Sequence, residues 1–287
     1  MPGERPVRLG NLAGRAVVFD GDSAIDVELA SGGRFPADPG ALFQQWSEFR
    51  DWYGSAQAQE GRIAVDPEQL GAPSPRPRQV FAIASNYHGR ASVVAGSDEL
   101  PVIFTKFPSS IVGPHADLPL PTASVDWEVE IVVVIGKPGY RVAAAEAWDL
   151  VAGLTLGQDF SERELQLGGP AKQFSLGKSF PSFGPTGPVL VTPDEFADRE
   201  DIELGCSVNG KTVQRDSTAR LIFPIAELVS RISAICELYP GDLIFSGTPS
   251  GMGMQMTPPQ YLEAGDLVES FAPEIGRMTT RCTPVAG

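Results

Sequence analysis

Apolar residues fall along this chain in short runs broken by glycine and proline, at 80–84, 101–107, 130–136, 150–157, 188–191, 202–210, 242–247 and 266–271. Runs of this kind, rich in Val, Ile and Leu and bounded by turn residues, predict strands. Many such strands with few helices between them point to a mostly-β body, sandwich-like or barrel-like. Beyond residue 78 helical spacing falls at 143–149, 161–166 and 224–237, the last with an apolar face suited to packing on a sheet. Nearer the N-terminus, 15–22 and 23–33 read as short strands and 41–54 as a helix with aromatic residues. The proline-rich stretch 66–78 then reads as a linker between a small N-terminal α+β domain, residues 1–72, and a main domain, residues 73–287. The expected class is α+β, mostly β.

One run carries charge at its head. In 126–136 the two glutamates Glu128 and Glu130 precede an unbroken Val/Ile stretch, the signature of a strand buried on both faces. Side chains of a strand alternate, so positions i and i+2 share a face and the two carboxylates share one surface. Two buried carboxylates side by side need a proton or a cation between them. Asp159 closes a second apolar run about thirty residues later. Three monodentate carboxylates on a six-coordinate hard cation leave positions for a chelating substrate and a water. No His or Cys stands near them in sequence, which favours Mg2+ or Mn2+, with Ca2+ as an alternative, over zinc.

Composition narrows the classes of function. The chain has 287 residues, 26 prolines and 31 glycines, and a formal net charge of -14. Such a charge repels nucleic-acid backbones and anionic membranes, whereas a small anion can bind where a metal and a few cations invert the local field. Cys206, Cys236 and Cys282 are scattered and lack metal-type spacing, as in a reduced cytosolic protein. The first residues lack the apolar core of a secretory signal and the longest apolar runs are shorter than a membrane span, so a cytoplasmic location is expected.

Further candidates surround the acids. Asp159, Arg163 and Gln166 stand at i, i+4 and i+7, which on a helix lines one face. Arg163 there suits a substrate carboxylate or carbonyl. Lys178 is flanked by apolar and small residues, and a buried ammonium needs an anion. Lys106 alternates like a strand residue and is expected at the rim. Gly21-Asp22-Ser23 looks like an esterase serine block, but only two histidines, His88 and His115, exist to serve it. The glycines of 250–254 lack the setting of a phosphate loop and read as a tight turn beside Thr248.

Over about residues 78–284 these features together resemble the fumarylacetoacetate hydrolase family. The agreement runs through Asn86-Tyr87, Phe104-x-Lys106 with Ser109-Ser110 and Gly113-Pro114, and the Glu128-x-Glu130 strand ending in Ile135-Gly136-Lys137. It continues through 159–166, Gly177-Lys178-Ser179-Phe180, Val208-Asn209-Gly210 with Gln214 and Thr218, and Pro240-Gly241-Asp242 leading to Ser246-Gly247-Thr248-Pro249-Ser250-Gly251. The resemblance implies a mixed β-roll catalytic domain behind a small N-terminal domain, usually as a homodimer. It implies metal ligation by Glu128, Glu130 and Asp159, with Asp126 as a further or supporting ligand. Arg163, Gln166, Lys178 and Thr248 would surround the substrate, with Tyr87, Lys106 and Arg90 as binding residues. The implied substrate is a small anionic 2-oxo or 1,3-diketo acid whose carbon-carbon bond is cleaved, by hydrolysis or decarboxylation, through a metal-stabilised enolate.

One departure bears on the reaction. Hydrolytic members resemble Asn-Tyr-x-x-His-x-x-Glu, in which the His-Glu pair activates water, but here those positions hold Arg90 and Val93. His88 lies two residues early, about 200° round a helical turn, and is a repositioned base only if Gly89 bends the segment. The alternative is therefore an isomerase or tautomerase, a dehydratase or a cyclising enzyme that uses the same enolate. A second alternative is a non-catalytic metabolite-binding relative.

Overall fold

The computed structural model describes residues 5–21, 23–55, 61–88 and 100–285. Fifteen strands position the site: β1 (Arg8–Leu12), β2 (Arg15–Asp20), β3 (Ser23–Asp26), β4 (Arg62–Ala64), β5 (Val80–Ala84), β6 (Val102–Thr105), β7 (Leu118–Leu120), β8 (Val129–Ile135), β9 (Val151–Gln158), β10 (Gly184–Val191), β11 (Glu203–Val208), β12 (Lys211–Ser217), β13 (Leu243–Phe245), β14 (Leu267–Ala272) and β15 (Gly276–Pro284). The larger sheet runs β4-β3-β2-β1-β10-β9-β8-β13-β5-β6, with Leu70–Gly71 added on β1 and Ile111–Val112 on β10. The β13–β5 pair is parallel, and the β8–β9, β9–β10 and β1–β10 pairs are antiparallel. A smaller sheet runs β12-β11-β14-β15-β7. The protein is thus α+β and mostly β, with mixed sheets.

The nearly all-apolar texture of β8, broken only by Glu130, follows from its central place. Val129, Ile131, Val133 and Ile135 face one core, shared with Leu204, Cys206 and Val268 of the smaller sheet and with Ile225, Leu228 and Ile232 of a helix at Ile225–Ser233. Val132 and Val134 face the other core, with Phe245, Phe104 and the N-terminal residues Val7, Leu9 and Phe49. Each such buried aliphatic side chain stabilises the fold by roughly 1.5–3 kcal/mol. By alternation, Glu128 and Glu130 belong to the Val132 face.

Several expected elements shift. The segment 143–149 forms a 3-10 helix, Ala144–Leu150, and 23–33 turns from strand into a short helix at Val27–Ala30, capped by Asp26 accepting from Leu29 N at 3.0 Å. The expected helix from 161 begins at Arg163, because Ser161–Glu162 pairs as a strand with Val125–Asp126. Residues 66–78 are built into the fold: Ser74 Oγ donates to Gly241 O at 2.7 Å and Asn11 Nδ2 to Ala72 O at 2.9 Å. The sheet itself crosses residue 72, since β1 pairs with β10.

Candidate functional site

Antiparallel pairing of β8 with β9 places the start of one strand beside the end of the other. Val129 lies opposite Gln158 and Glu130 opposite Gly157, and Asp159 N donates to Glu128 O at 2.8 Å. Glycine is required at 157, where a Cβ would stand 2.6 Å from Val132 Cγ2 and 2.9 Å from Phe245 Cε1. One carboxylate oxygen from each of Glu128, Glu130 and Asp159 lies within 4.8 Å of the others, and all three residues are buried. Hard divalent ions hold oxygens at about 2.0–2.6 Å, so ligands across one ion stand up to about 5 Å apart. The set therefore fits a hard cation in both geometry and donor chemistry.

The charges ask for one. Asp126, Glu128, Glu130 and Asp159 meet the cations Lys106, Arg163 and Lys178, which would leave one excess negative charge among these described residues if all four acids were ionised. Lys178 Nζ bridges Glu128 Oε2 at 2.8 Å and Asp159 Oδ2 at 2.7 Å. Lys106 Nζ donates to Asp159 Oδ1 at 2.8 Å, to Phe183 O at 3.1 Å and to Lys178 O. Arg163 Nη2 reaches Glu128 Oε1 at 2.7 Å. Glu130 accepts from Gly247 N at 2.7 Å. Burial, and then Asp159 and Glu128, push its carboxyl well above the usual carboxylate range. The neutral form is favoured until a cation arrives.

Local structure fixes these groups. Gly247 has φ +104°, and a Cβ there would lie 2.8 Å from Asn86 Cβ, so the amide that meets Glu130 depends on glycine. Arg163 and Gln166 lie on the helix α1 (Arg163–Leu167), whose first turn is capped by Glu162 accepting from Leu165 N at 2.6 Å. Lys178 ends the short helix α2 (Phe174–Gly177). The two helices touch through Gly177, where a Cβ would be 2.8 Å from Gln166 N. Gln158 Oε1 accepts from Glu128 N at 2.8 Å and Gln214 Oε1 from Val129 N at 3.1 Å, while Gln214 Nε2 donates to Thr248 Oγ1 at 2.9 Å. These two glutamines hold the backbone that presents the acids; in the sequence Gln158 shows as an amide ending the apolar run of β9, and Gln214 among the residues of the family resemblance.

A cavity of about 230 Å³ opens against this cluster, lined by Glu128, Arg163, Gln166, Lys178 and Thr248 together with Phe104, Phe174, Met252 and Met254. It lies below the usual size of drug-sized ligand pockets, ~300–1,000 Å³, and suits a small acid. Other expected residues lie elsewhere. Lys106 is not at the rim; it is fully buried beneath Asp159, where three oxygens hold its ammonium. Asp159 is not on a helical face with Arg163 and Gln166, because it follows β9 and the helix begins four residues later. Asp126 stands outside the three-acid group, its oxygens engaged by Arg163 and by the amides of Gly253 and Met254. Tyr87 is buried in the core, with no hydrogen-bond partner for its hydroxyl among the described residues. Burial and the nearby Glu130 raise its pKa far above the ordinary phenol value. His88 is exposed and its backbone N donates to Arg220 O at 3.1 Å. Arg90 and Val93 lie outside the described residues.

Residues 79–283 match the family model described as "Fumarylacetoacetate (FAA) hydrolase C-terminal". The chain belongs to the fumarylacetoacetate hydrolase family. It is 44% identical over 209 residues to the mitochondrial oxaloacetate tautomerase FAHD2A of Bos taurus, a match covering 71% of this chain and 66% of that relative. A crystal structure of a protein provisionally designated HpcE, from Mycobacterium smegmatis, is 47% identical with a TM-score of 0.91, covering 97% of this chain and 100% of that one. The maleylpyruvate hydrolase of Sphingobium sp. SYK-6, solved with manganese(II) and pyruvate, is 26% identical with a TM-score of 0.79, covering 96% and 99%. Among the described residues no helix is long and apolar enough to cross a membrane.

Proposed function

We propose that this protein is a divalent-metal-dependent tautomerase that interconverts the enol and keto forms of a small 2-oxo acid such as oxaloacetate. The observation that carries this reading is the convergence of Glu128, Glu130 and Asp159 beside a cavity walled by Lys178 and Arg163. Those three carboxylates would hold Mg2+ or Mn2+, and the relative solved with manganese and pyruvate supports that choice. When bound, the ion would polarise the 2-oxo group and lower the energy of the enolate.

The chain's own residues do the rest. Arg163 has five N–H donors; Nη1 is bonded to Gln166 Oε1 at 2.8 Å, which leaves a second N–H there for a substrate carboxylate. Lys178 Nζ spends two strong hydrogen bonds on Glu128 and Asp159, and its third, to Asp159 O, is long at 3.4 Å. Its remaining N–H can donate to the enolate oxygen and so stabilise the charge that develops there while the carbon exchanges its proton. Phe104, Phe174, Met252 and Met254 exclude water, which strengthens these interactions. Tautomerisation moves one proton between carbon and oxygen and consumes no water, so it does not call for the His-Glu pair replaced by Arg90 and Val93.

The second reading, carbon-carbon bond cleavage, is supported by the likeness to the maleylpyruvate hydrolase. Product analysis separates the two. With Mn2+ present, oxaloacetate is expected to relax from enol to keto form faster than in buffer, and acylpyruvate is expected to yield no pyruvate. Stoichiometric pyruvate release with no faster enol decay would replace the proposal by cleavage. The tautomerase named among the relatives is mitochondrial, so compartment is best read by imaging a tagged chain.

A further inference from the structure

Asp126 is fully buried and five hydrogen bonds or ion pairs converge on its carboxylate. Oδ2 accepts from Arg163 Nε at 2.9 Å and from Met254 N at 3.0 Å and forms an ion pair with Arg163 Nη2 at 2.8 Å. Oδ1 accepts from Gly253 N at 2.7 Å and from Trp127 N at 2.9 Å. On one side stands the guanidinium read above as the substrate anchor. On the other stands the turn that carries Met252, Met254 and Gln255, three residues of the cavity wall. Met252 Sδ lies 3.3 Å from Arg163 Nη2, so wall and anchor also touch directly. The turn is tightly held, since a Cβ on Gly253 would fall 1.9 Å from Gln260 O and 3.0 Å from Asp126 Oδ1. A short ladder, Asp126 opposite Ser161, brings the carboxylate to the base of α1 and so to Arg163.

We infer that Asp126 is a positioning residue: one buried carboxylate sets the guanidinium that grips the substrate carboxylate and, through the same two oxygens, the methionine wall that meets the remainder of the substrate. Carboxylate affinity and tail selectivity are then coupled through a residue that touches neither part of the substrate. This rests on the reading of the cavity as a 2-oxo acid site. Asparagine at 126 keeps the shape but has one oxygen and one NH2: with the oxygen at the Oδ2 position it serves Arg163 and Met254 N and turns its NH2 on Gly253 N and Trp127 N, and flipped it turns its NH2 on Arg163 and Met254 N, so either way one side meets donors with a donor. Loss of a charge-assisted hydrogen bond at a buried ligand-binding arginine corresponds to about ten- to a hundred-fold in affinity.

The test uses full-length protein loaded with Mn2+ and oxalate as the probe, read by calorimetry. Asp126→Asn is expected to bind Mn2+ within about threefold of wild type and oxalate about tenfold or more weakly. In an Arg163→Gln background, Asp126→Asn should add almost nothing, because the residue acts through the guanidinium. A purely structural role would instead lower thermal stability equally in both backgrounds and leave oxalate affinity where it was. Gly253→Ala displaces the turn while keeping every charge; it is expected to alter the ratio of affinities for oxalate and for a longer 2-oxo acid by about tenfold. Oxalate binding within threefold of wild type in folded Asp126→Asn, or additive losses in the double variant, would overturn the inference. Wild-type protein that takes up Mn2+ but no oxalate would instead overturn the reading of the site on which it rests.

Discussion

Glu130 is the most constrained acid of the site. Its carboxylate is buried between Glu128 and Asp159 with one backbone amide for company, and its pKa is raised for those reasons, burial first. Glu130→Gln is therefore expected to abolish Mn2+ binding and at the same time to raise the melting temperature of the metal-free protein, since the fold no longer has to bury that carboxylate or take up a proton to neutralise it. Calorimetric titration and a thermal scan of the same sample check both; retained Mn2+ binding, or a lower melting temperature without metal, would refute the account. The glutamates were legible in the sequence because charge at i and i+2 heads a Val/Ile run, and only a central strand explains such a run. Lys106 was misjudged because Phe104-Thr105-Lys106-Phe107 alternates as an edge strand would, while the oxygens that bury it come from residues 53 to 77 positions away. Asp126 was legible as an acid near the site but not as the clamp of a turn 127 positions further on.

The helix α1 shows how much depends on its N-cap. Glu162 accepts from Leu165 N, from Thr122 Oγ1 at 2.8 Å and from Ser124 Oγ, and these bonds outweigh burial to hold its carboxyl below the usual carboxylate range. A depressed folded-state pKa gives stability that is fully present above the unfolded value of about 4.3 and is lost as pH falls through the folded value. Glu162→Gln should thus cost about 1 kcal/mol at neutral pH and flatten that part of the acid dependence. Urea midpoints of both proteins at neutral and acidic pH measure this; parallel pH profiles would contradict it. In β8, Ile131→Ala is expected to cost ~2–5 kcal/mol, because a fully buried side chain in the larger core leaves a cavity. Denaturant unfolding reads that loss. Strand existence was written in the apolar runs. The register that brings Asp159 to the acids was not, because Ser161–Glu162 looks helical in isolation and becomes strand only by pairing with Val125–Asp126.

The larger sheet joins the N-terminal strands to those of the main body. β1 pairs with β10, and one core holds Val7, Leu9 and Phe49 together with Val132, Val134 and Phe245. Heat unfolding should accordingly be one cooperative transition with equal calorimetric and van't Hoff enthalpies; two separated transitions would show residues 1–72 to be an independent unit. The proline-rich segment suggested a spacer because composition reports turn chemistry, not what the turn packs against. The proposed function requires that the three buried carboxylates hold a divalent ion beside the 2-oxo acid site. The rate at which enol-oxaloacetate converts to the keto form tests this, measured before and after stripping of divalent metal and again on adding Mn2+, in wild type and in Glu130→Gln. The rate should fall to that of buffer on stripping and return with Mn2+ in wild type alone. An undiminished rate in metal-stripped wild type would contradict the claim.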